Sequence, residues 1–485
     1  MASLEEIRAE RLKKLNDLVA SGHSVYLATS RATHRIHDAL HTFDDLAARE
    51  EEVTLAGRVM ASRGQGALIF ADLFDGTAKI QVVMKLPETP EAVRDFYEKF
   101  VDIGDFVEVR GTLFSTKTGQ KSILGREVAM LSKALLPLPD KYHGLQDEEL
   151  RLRLRYLDIL TNPELRELFQ RRAKFWQTIR TFLIERGFLE VETPTLEVTT
   201  GGAEARPFQT HHNDFDLDVF LRISVGELWQ KRLMSAGFPK TFEIGRVYRN
   251  EGSSPEHLQE FTNCEFYMAY ANYEDGMKLV EELYRTIARE VFGTTTFTTR
   301  GHTFDLADEW KKIDYREEVL RQTGVDLAMA TDEDIKSKLD ELKVKYEGHN
   351  RERLTDTLWK YCRKNIAGPA FLINHPLLVA PLAKKNPDGA TAQVFQPILA
   401  GSEVGKGYSE LNDPLDQRKR FEVQQELLAS GDKEAMMADW DFIEMLEHGM
   451  PPTCGFGFGE RLFAFLSDKP LRETQTFPLV RPKNG

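Results

Sequence analysis

The stretch from residue 242 to residue 270 constrains the fold of this chain more than any other. Its alternation of apolar and polar residues predicts two strands, over residues 242–248 and 264–270, with a polar loop between them. Side chains two residues apart on a strand point the same way, so an antiparallel hairpin can present a row of polar groups on one face. The sequence therefore predicts a hairpin suited to holding a flat, charged ligand.

Four residues of this hairpin are of types that bind a nucleotide. The planar guanidinium of Arg249 can contact a phosphate, and the Glu251 carboxylate can accept a hydrogen bond from an amine. His257 is placed to reach further phosphates, and Phe261 offers an aromatic face to a base. Each residue alone is more often a solvated surface side chain, but their combination in one hairpin favours a binding site.

Composition narrows the class of protein. The chain has 485 residues, which is too long for one ordinary core and predicts two or three domains. We expect no membrane association, because no apolar run approaches the roughly 20 residues of a span and the first residues lack an apolar signal core. The three cysteines have no metal-ligand spacing, which fits a reducing cytoplasm. The net charge of −13 argues against general nucleic-acid affinity, so an RNA partner would dock on local basic patches.

Hydrophobic patterning divides the chain into four parts. Residues 1–50 predict a helical extension, residues 139–165 a linker, and residues 166–485 a large second domain with a helical insertion over 295–368. Residues 51–138 predict five short strands with a helix between the third and the fourth. This is the order of an OB-fold, a small barrel that binds oligonucleotides.

Three residues on the predicted barrel strands could read a single nucleic-acid strand. Phe70 could stack on a base, Gln81 could bond a base edge, and Arg63 could contact a phosphate. On spacing alone, the alternative remains open that Phe70 belongs to the barrel core and that the other two are ordinary surface residues.

Three further segments stand out in the second domain. Residues 186–196 predict the end of a helix and a short strand stopped by Pro194, which suits a sheet edge that pairs across a subunit interface. Residues 395–411 predict two strands that carry Glu403, which could bind Mg²⁺, and Glu410, which could receive an ammonium group. The third segment is the glycine-rich strand and helix start that ends at Arg461, where a backbone can lie close to a ligand.

Residues 186–194, 242–265 and 455–461 together resemble the three signature motifs of class II aminoacyl-tRNA synthetases. An OB-fold in front of them is the layout of the aspartyl, asparaginyl and lysyl subgroup. Within it the chain resembles the lysyl-tRNA synthetases, for example in GYSELNDPLDQRKRF and HGMPPTCGFGFGERL. The resemblance implies an α+β fold: an N-terminal OB-fold β-barrel and a catalytic domain built on a six-stranded antiparallel sheet with flanking helices. It also implies a cytoplasmic homodimer that pairs through the first motif.

The resemblance implies ATP-dependent attachment of L-lysine to tRNA(Lys) through a lysyl-adenylate, with Mg²⁺ as cofactor. It assigns residues to four roles. The catalytic residues would be Arg249, Glu403 and Arg461, and ATP would also contact Glu251, His257 and Phe261. The lysine pocket would contain Gly202, Glu227, Glu265, Tyr267, Lys406, Tyr408 and Glu410. The metal would bind Glu403 and Gln396, and the anticodon would contact Arg63, Phe70 and Gln81.

Several positions depart from the family pattern. Gln396 stands where the pattern has a second metal-binding glutamate, and Lys406 stands where it has asparagine. One hypothesis is that Lys406 supplies the positive charge that a further Mg²⁺ would otherwise provide. Cys454 stands where the pattern has alanine, beside the third motif, and we expect it to narrow or reshape the pocket. Two alternatives follow from these departures: an aspartyl- or asparaginyl-type synthetase, and a non-catalytic RNA-binding relative.

Overall fold

The computed structural model describes residues 3–65, 68–139, 145–202, 205–252, 254, 257–346, 350–430 and 436–482. The chain divides into two compact units, residues 1–161 and 162–485.

The first unit is a barrel with helices before and after it. Helix α1 begins with a capping box, in which the Ser3 hydroxyl accepts from the Glu6 amide and the Glu6 carboxylate accepts from the Ser3 amide. The helices are α1 (Leu4–Ala20), α2 (Ile36–His41), α3 (Phe43–Ala48), α4 (Glu91–Phe100), α5 (Glu148–Arg153) and α6 (Arg155–Thr161). The strands are β1 (Glu52–Gln65), β2 (Leu68–Phe74), β3 (Lys79–Lys85), β4 (Phe106–Ser115) and β5 (Lys121–Ser132).

These five strands close into a barrel in the order β1-β2-β3-β5-β4, with α4 between the third and the fourth. Alternate residues of each strand are buried inside, as in β2, where Ile69, Ala71 and Leu73 enter the core. Tyr97 and Phe100 of α4 join the same hydrophobic cluster. The prediction of an OB-fold from five strands and one helix is confirmed.

The second unit has a central sheet covered by helices. Its helices are α7 (Pro163–Glu185), α8 (Glu227–Ser235), α9 (Tyr273–Ile287), α10 (Tyr315–Thr323), α11 (Asp332–Glu341), α12 (Arg351–Cys362), α13 (Pro414–Ala429), α14 (Trp440–His448) and α15 (Arg461–Leu466). Its first strands are β6 (Leu189–Glu190), β7 (Leu196–Glu197), β8 (Gln209–His212), β9 (Leu217–Leu221), β10 (Lys240–Tyr248), β11 (Glu260–Ala269), β12 (Thr296–Thr299), β13 (His302–Asp305) and β14 (Lys311–Asp314). The remaining strands are β15 (Ala370–Pro376), β16 (Thr391–Leu399), β17 (Ser402–Glu403), β18 (Lys406–Ser409) and β19 (Thr453–Gly459).

The central sheet runs in the order β14-β15-β16-β18-β19-β11-β10-β6, with β17 paired to β16. Its six middle strands are antiparallel to one another, as predicted. The two edge strands differ: β14 pairs with β15, and β6 with β10, in parallel. The six-stranded prediction is therefore correct for the centre of a larger mixed sheet.

The helical insertion predicted over residues 295–368 is wrong for its first part. That part forms strands β12, β13 and β14, and β14 is an edge of the central sheet. The threonine-rich run favours strands because β-branched residues suit a pleated surface. The turn between β12 and β13 has positive φ at Arg300 (52°) and Gly301 (79°), the combination typical of a tight hairpin. The following helices share a hydrophobic core with β15 and β16, so this segment is part of the main unit.

The first motif is a helix followed by the edge strand. Gly187, with φ +79°, follows the end of α7, and the chain then enters β6. In β6, Leu189 pairs with Thr241 and Glu190 with Phe242, and both β6 residues are exposed.

Among the described residues, the helices include none with the length and apolar character needed to cross a membrane.

Candidate active site

Three neighbouring strands of the central sheet build the floor of the site. In their register, Glu265 of β11 and Lys406 of β18 both lie opposite Gly457 of β19. Two residues along, Tyr267 and Tyr408 both lie opposite Gly455. Because alternate residues share one face of a strand, the polar side chains and the glycines form adjacent rows on that face.

The glycines leave the room that these side chains occupy. A Cβ atom added at Gly455 would lie 2.3 Å from Oε1 of Glu410 and 2.4 Å from the ring of Tyr267. At Gly457 it would lie 3.1 Å from Cγ of Glu265. The glycine-rich strand therefore allows a ligand and large side chains to share the space above β19.

Two cavities lie on this floor and share a wall. The first has a volume of about 230 Å³ and is lined by the residues expected to bind ATP or metal, namely Arg249, Glu251, His257, Phe261, Gln396, Glu403 and Arg461. The second has a volume of about 260 Å³ and is lined by the residues expected to bind lysine, namely Gly202, Glu227, Glu265, Tyr267, Lys406, Tyr408 and Glu410. The tertiary structure thus brings each expected group together. Arg249, Asn263, Lys406 and Gly457 line both cavities.

Arg249 lies at the junction of the two cavities. Its guanidinium carbon is 5.3 Å from the centre of the Phe261 ring, and its Nη2 donates to the carbonyl oxygen of Ile223 at 3.3 Å. Desolvation lowers the pKa of Arg249, an effect that the charge of Glu251 opposes. A guanidinium keeps its proton in proteins, so Arg249 brings a fixed positive charge to this junction.

Glu251 and Glu403 are the carboxylates that line the first cavity, and Glu403 is the one expected to bind the metal. Nε1 of Trp359 donates to its Oε1 at 2.6 Å, which orients the carboxylate. On the neighbouring strand β16, Oε1 of Gln396 is 2.7 Å from Nε2 of His375. Burial lowers the pKa of His375 to about 3, and the nearby Lys406 charge adds to this effect, so the imidazole is neutral.

The described residues contain no group of three or more His, Cys, Asp or Glu side chains that could hold a metal. Mg²⁺ commonly binds through one or two carboxylates and takes its other ligands from phosphates and water. Glu403 therefore fits an ion held jointly with a phosphorylated ligand, whereas the neutral Gln396 adds little to it.

The second cavity is lined by three buried carboxylates, those of Glu227, Glu265 and Glu410, each no more than 6% exposed. The Val225 amide donates to Oε1 of Glu265 at 2.8 Å, and the Tyr267 hydroxyl donates to Oε2 at 3.1 Å. Burial raises the pKa of Glu265 to about 7, and repulsion from Glu227 contributes. Burial likewise raises the pKa of Glu410 to about 8. The cavity is therefore built to receive positive charge.

Sequence reasoning missed a buried cation beside these carboxylates. Nζ of Lys231 lies 2.7 Å from Oε1 of Glu227 and 2.6 Å from Oε2 of Glu410, and the lysine is 1% exposed. The Tyr408 hydroxyl also donates to Oε1 of Glu227. One signal was available, because Lys231 follows Glu227 by four residues on α8, the spacing of an ion pair on one helix face.

Asn263 was also missed, although it lines both cavities. It lies on β11 between Phe261 and Glu265 at alternate positions, so period-two alternation could have found it. Gly202, at φ +84°, approaches Glu227 so closely that an added Cβ would lie 2.6 Å from the Cβ of Glu227.

Cys454, which was expected to narrow or reshape the pocket, does not line it. A Cβ added at Gly276 of α9 would lie 2.6 Å from Sγ of Cys454, which places the thiol against that helix. Cys454 is buried and is not among the residues that line either cavity. It neighbours Gly455 in β19, and adjacent strand residues point to opposite faces.

In the barrel, the three residues predicted to contact a single nucleic-acid strand also lie together. Arg63 pairs with Phe70 between β1 and β2, and its guanidinium carbon is 5.2 Å from the centre of the Phe70 ring. Oε1 of Gln81 accepts from the Ser122 hydroxyl at 3.1 Å. All three line a surface cavity of about 490 Å³ with Asp72 and Lys79, and Phe70 is partly exposed there.

The chain is similar to known proteins along nearly its whole length. A family profile described as class II tRNA synthetases (D, K and N) matches residues 147–481, and one described as an OB-fold nucleic acid binding domain matches residues 53–131. A lysine–tRNA ligase of Roseiflexus sp. (strain RS-1) is 43% identical, with 99% of this chain and 100% of the relative aligned. Lysine–tRNA ligases of Thermotoga maritima and Moorella thermoacetica are each 42% identical, with 99% of this chain and 97% and 98% of the relatives aligned.

Proposed function

Because the chain belongs to the lysine–tRNA ligases of the class II tRNA synthetase family, we propose that it attaches L-lysine to tRNA(Lys) through a lysyl-adenylate. One observation carries the proposal. A cavity with three buried carboxylates shares Arg249 and Lys406 with a second cavity of nucleotide-binding character. A cationic amino acid in the carboxylate-lined cavity can therefore place its own carboxylate beside a phosphate in the nucleotide cavity.

Selectivity for lysine follows from the buried carboxylates. In this proposal Glu410 meets the side-chain ammonium, Glu265 and Tyr267 lie around the substrate side chain, and Glu227 and Gly202 face the α-amino group. Within the described residues, the buried Oε1 of Glu410 accepts no hydrogen bond, whereas Oε2 lies 2.6 Å from Nζ of Lys231. Lys231 compensates only one of the three pocket carboxylates. A buried carboxylate left without a cation costs several kcal/mol, so a neutral or acidic side chain would be rejected strongly.

The nucleotide half of the site supports adenylation. Phe261 and Arg461 hold the base between them, Glu251 accepts from the adenine amine, and His257 contacts the outer phosphates. One oxygen of the lysine carboxylate attacks the α-phosphorus in line, and the bond from that phosphorus to the bridging oxygen of the β-phosphate breaks. Pyrophosphate leaves with the bonding electron pair. Arg249 stabilises the charge that gathers on the α-phosphate, so positioning and electrostatics supply most of the catalysis.

Mg²⁺ has a more limited place in the proposal. Glu403 would hold it together with the phosphates, and the ion would neutralise phosphate charge when bound. Lys406, which lines both cavities, brings a further positive charge to the junction. Its ammonium faces the substrate carboxylate and the phosphate region.

The remaining parts of the proposal concern tRNA and assembly. A hydroxyl of the terminal tRNA adenosine attacks the lysyl carbonyl, and AMP leaves. The barrel cavity with Arg63, Phe70 and Gln81 receives the anticodon, where base stacking and phosphate contact combine. The exposed edge strand β6 supports pairing between two copies of the chain. The three cysteines are free and buried, which fits a reducing cytoplasm.

Amino-acid-dependent exchange between ATP and pyrophosphate tests the proposal directly. Each of the twenty amino acids is offered singly without tRNA, and we expect exchange with lysine alone. Exchange with aspartate or asparagine would instead indicate a sibling synthetase. Absence of exchange with every amino acid, while tRNA still binds, would indicate a non-catalytic RNA-binding protein.

A further inference from the structure

Lys231 is a buried lysine that bridges two elements of the amino-acid cavity. Its Nζ joins Glu227 of its own helix α8 to Glu410, which follows strand β18. The rings of Tyr408 and Phe442 lie nearby, with their centres 5.4 Å and 5.8 Å from Nζ. Lysine is rarely buried in proteins unless it is paired, so this arrangement calls for a reason.

The charges around the cavity supply a reason. Glu227, Glu265 and Glu410 contribute three negative charges when ionised, and Lys231 returns one positive charge. Two negative charges remain. A free diamino acid carries two ammonium groups, and its carboxylate would lie toward Arg249 and Lys406 at the junction of the cavities.

We infer that Lys231 is a positioning residue that permanently compensates one pocket carboxylate, so that the pocket's remaining charge matches the two ammonium groups of a diamino acid. This inference rests on the proposed function and deepens it. Lys231 takes one side of Glu410, through Oε2, while Oε1 lies above Gly455 in the cavity. Lys231 thereby favours the ionised form of Glu410 against the effect of burial and leaves its other oxygen facing the cavity.

The ionisable groups around Glu410 give the inference a pH signature. The groups that shift the pKa of Glu410, or whose own pKa Glu410 shifts, are Lys231, Glu227, Glu265, Tyr267, Tyr408 and Cys454. Arg249 in turn lowers the pKa of Glu265. Among these, Lys231 is the group whose charge lowers the pKa of Glu410 against the effect of burial. Without it, the Glu410 carboxyl would hold its proton to a higher pH and would release that proton when lysine binds.

The test compares Lys231→Met with the wild-type enzyme. Calorimetry of lysine binding in buffers of different ionisation enthalpy gives the number of protons released, and exchange kinetics give KM and kcat. We expect Lys231→Met to release more protons near pH 7.5 and to raise the KM for lysine about tenfold or more. We also expect its preference for lysine over norleucine to fall. Lys278→Met is the matched control, because Lys278 is an exposed residue of α9.

A double variant separates charge matching from a merely structural ion pair. Glu227→Gln alone leaves too little negative charge, and Lys231→Met alone leaves too much. Lys231→Met/Glu227→Gln restores the match and should bind lysine more tightly than either single variant, which is a non-additive result. Should Lys231→Met fail to fold, the comparison of the double variant with Glu227→Gln still decides.

Two outcomes would overturn the inference: a double variant in which the losses simply add, or a folded Lys231→Met with wild-type proton release and wild-type discrimination against norleucine. In either case, wild-type enzyme that exchanges with lysine leaves the proposed function intact. Wild-type enzyme that fails to exchange with lysine would contradict the proposed function itself.

Discussion

Nε2 of His375 lies 2.7 Å from Oε1 of Gln396, and the two side chains form a neutral pair at the wall of the nucleotide cavity. Burial keeps His375 uncharged, so it orients the amide without adding charge. The carboxylate of Glu403 and the ammonium of Lys406 line the same cavity.

Gln396→Glu should reduce the Mg²⁺ concentration needed for half-maximal exchange. A second carboxylate beside Glu403 would add an oxygen ligand of the kind that Mg²⁺ prefers. Lys406→Asn should instead increase the Mg²⁺ concentration required, because it removes a cation that lines the cavity. Titration of Mg²⁺ in the exchange assay measures both effects. Gln393→Glu is the control, because it lies three residues away on β16 and points to the other face. Unchanged metal dependence in both test variants would contradict the view that Lys406 replaces a metal charge.

Glu410→Gln should lower kcat/KM for lysine by about 30-fold or more, because removing one member of a buried charged pair costs roughly 2–5 kcal/mol. The same change leaves Lys231 with Glu227 as its ion-pair partner. Steady-state exchange with lysine measures the loss. Glu422→Gln, at an exposed position of α13, serves as a control for the loss of one carboxylate. Equal kinetics in the two variants would exclude Glu410 from lysine recognition.

Lysine should bind more tightly as pH rises from 6 to 8.5. Burial raises the pKa of Glu265 to about 7 and that of Glu410 to about 8 in the ligand-free protein, so both carboxyls are largely protonated at pH 6. Binding of a cation then has to displace protons, and this cost disappears at higher pH. Calorimetric Kd values across this range provide the measurement. A Kd independent of pH would indicate that both groups are already ionised at pH 6.

The raised pKa values of Glu265 and Glu410 also make the free energy of unfolding depend on pH. Both carboxyls have a folded-state pKa above the unfolded value near 4.5, so their neutral forms favour folding. That contribution is present at low pH and is lost as pH rises through about 7 to 8. Saturating lysine should therefore raise Tm more at pH 8.5 than at pH 6, as differential scanning calorimetry can measure. The opposite order would contradict these assignments.

Gly455→Ala should impair lysine binding while leaving the fold intact. The new methyl group would meet both Glu410 and the Tyr267 ring, and such overpacking costs about 1–3 kcal/mol. We expect the KM for lysine to rise and the KM for ATP to stay close to wild type. Gly64→Ala, whose added Cβ meets no atom within 4 Å, is the matched control. A normal KM for lysine in Gly455→Ala would place the substrate elsewhere.

Phe70→Ala should weaken tRNA charging without affecting exchange. One lost base stack costs about 1–3 kcal/mol, and exchange proceeds without tRNA. Aminoacylation at varied tRNA concentration measures the change. Phe114→Ala, another partly exposed aromatic of the barrel that lies outside the cavity, is the control. Equal KM values for tRNA in both variants would remove Phe70 from anticodon recognition.

Local pattern was enough to predict several features. Period-two alternation predicted the hairpin of β10 and β11, and five strands with an inserted helix predicted the barrel. The prediction failed over residues 295–368, where β14 becomes a sheet edge through pairing with β15, a strand more than fifty residues later. Such pairing depends on partners distant in sequence, which a local reading does not contain.

Neighbouring residues alone specify which chemical groups each segment carries, because strand alternation and the class II motifs are local patterns. In contrast, it is the folding of the whole chain that pairs Glu410 with Lys231, places Cys454 against α9 and brings Gln396 to His375. These relationships arise where separate elements pack together. Burial and the charges of distant residues then set the ionisation of each group, and those are properties of the folded chain.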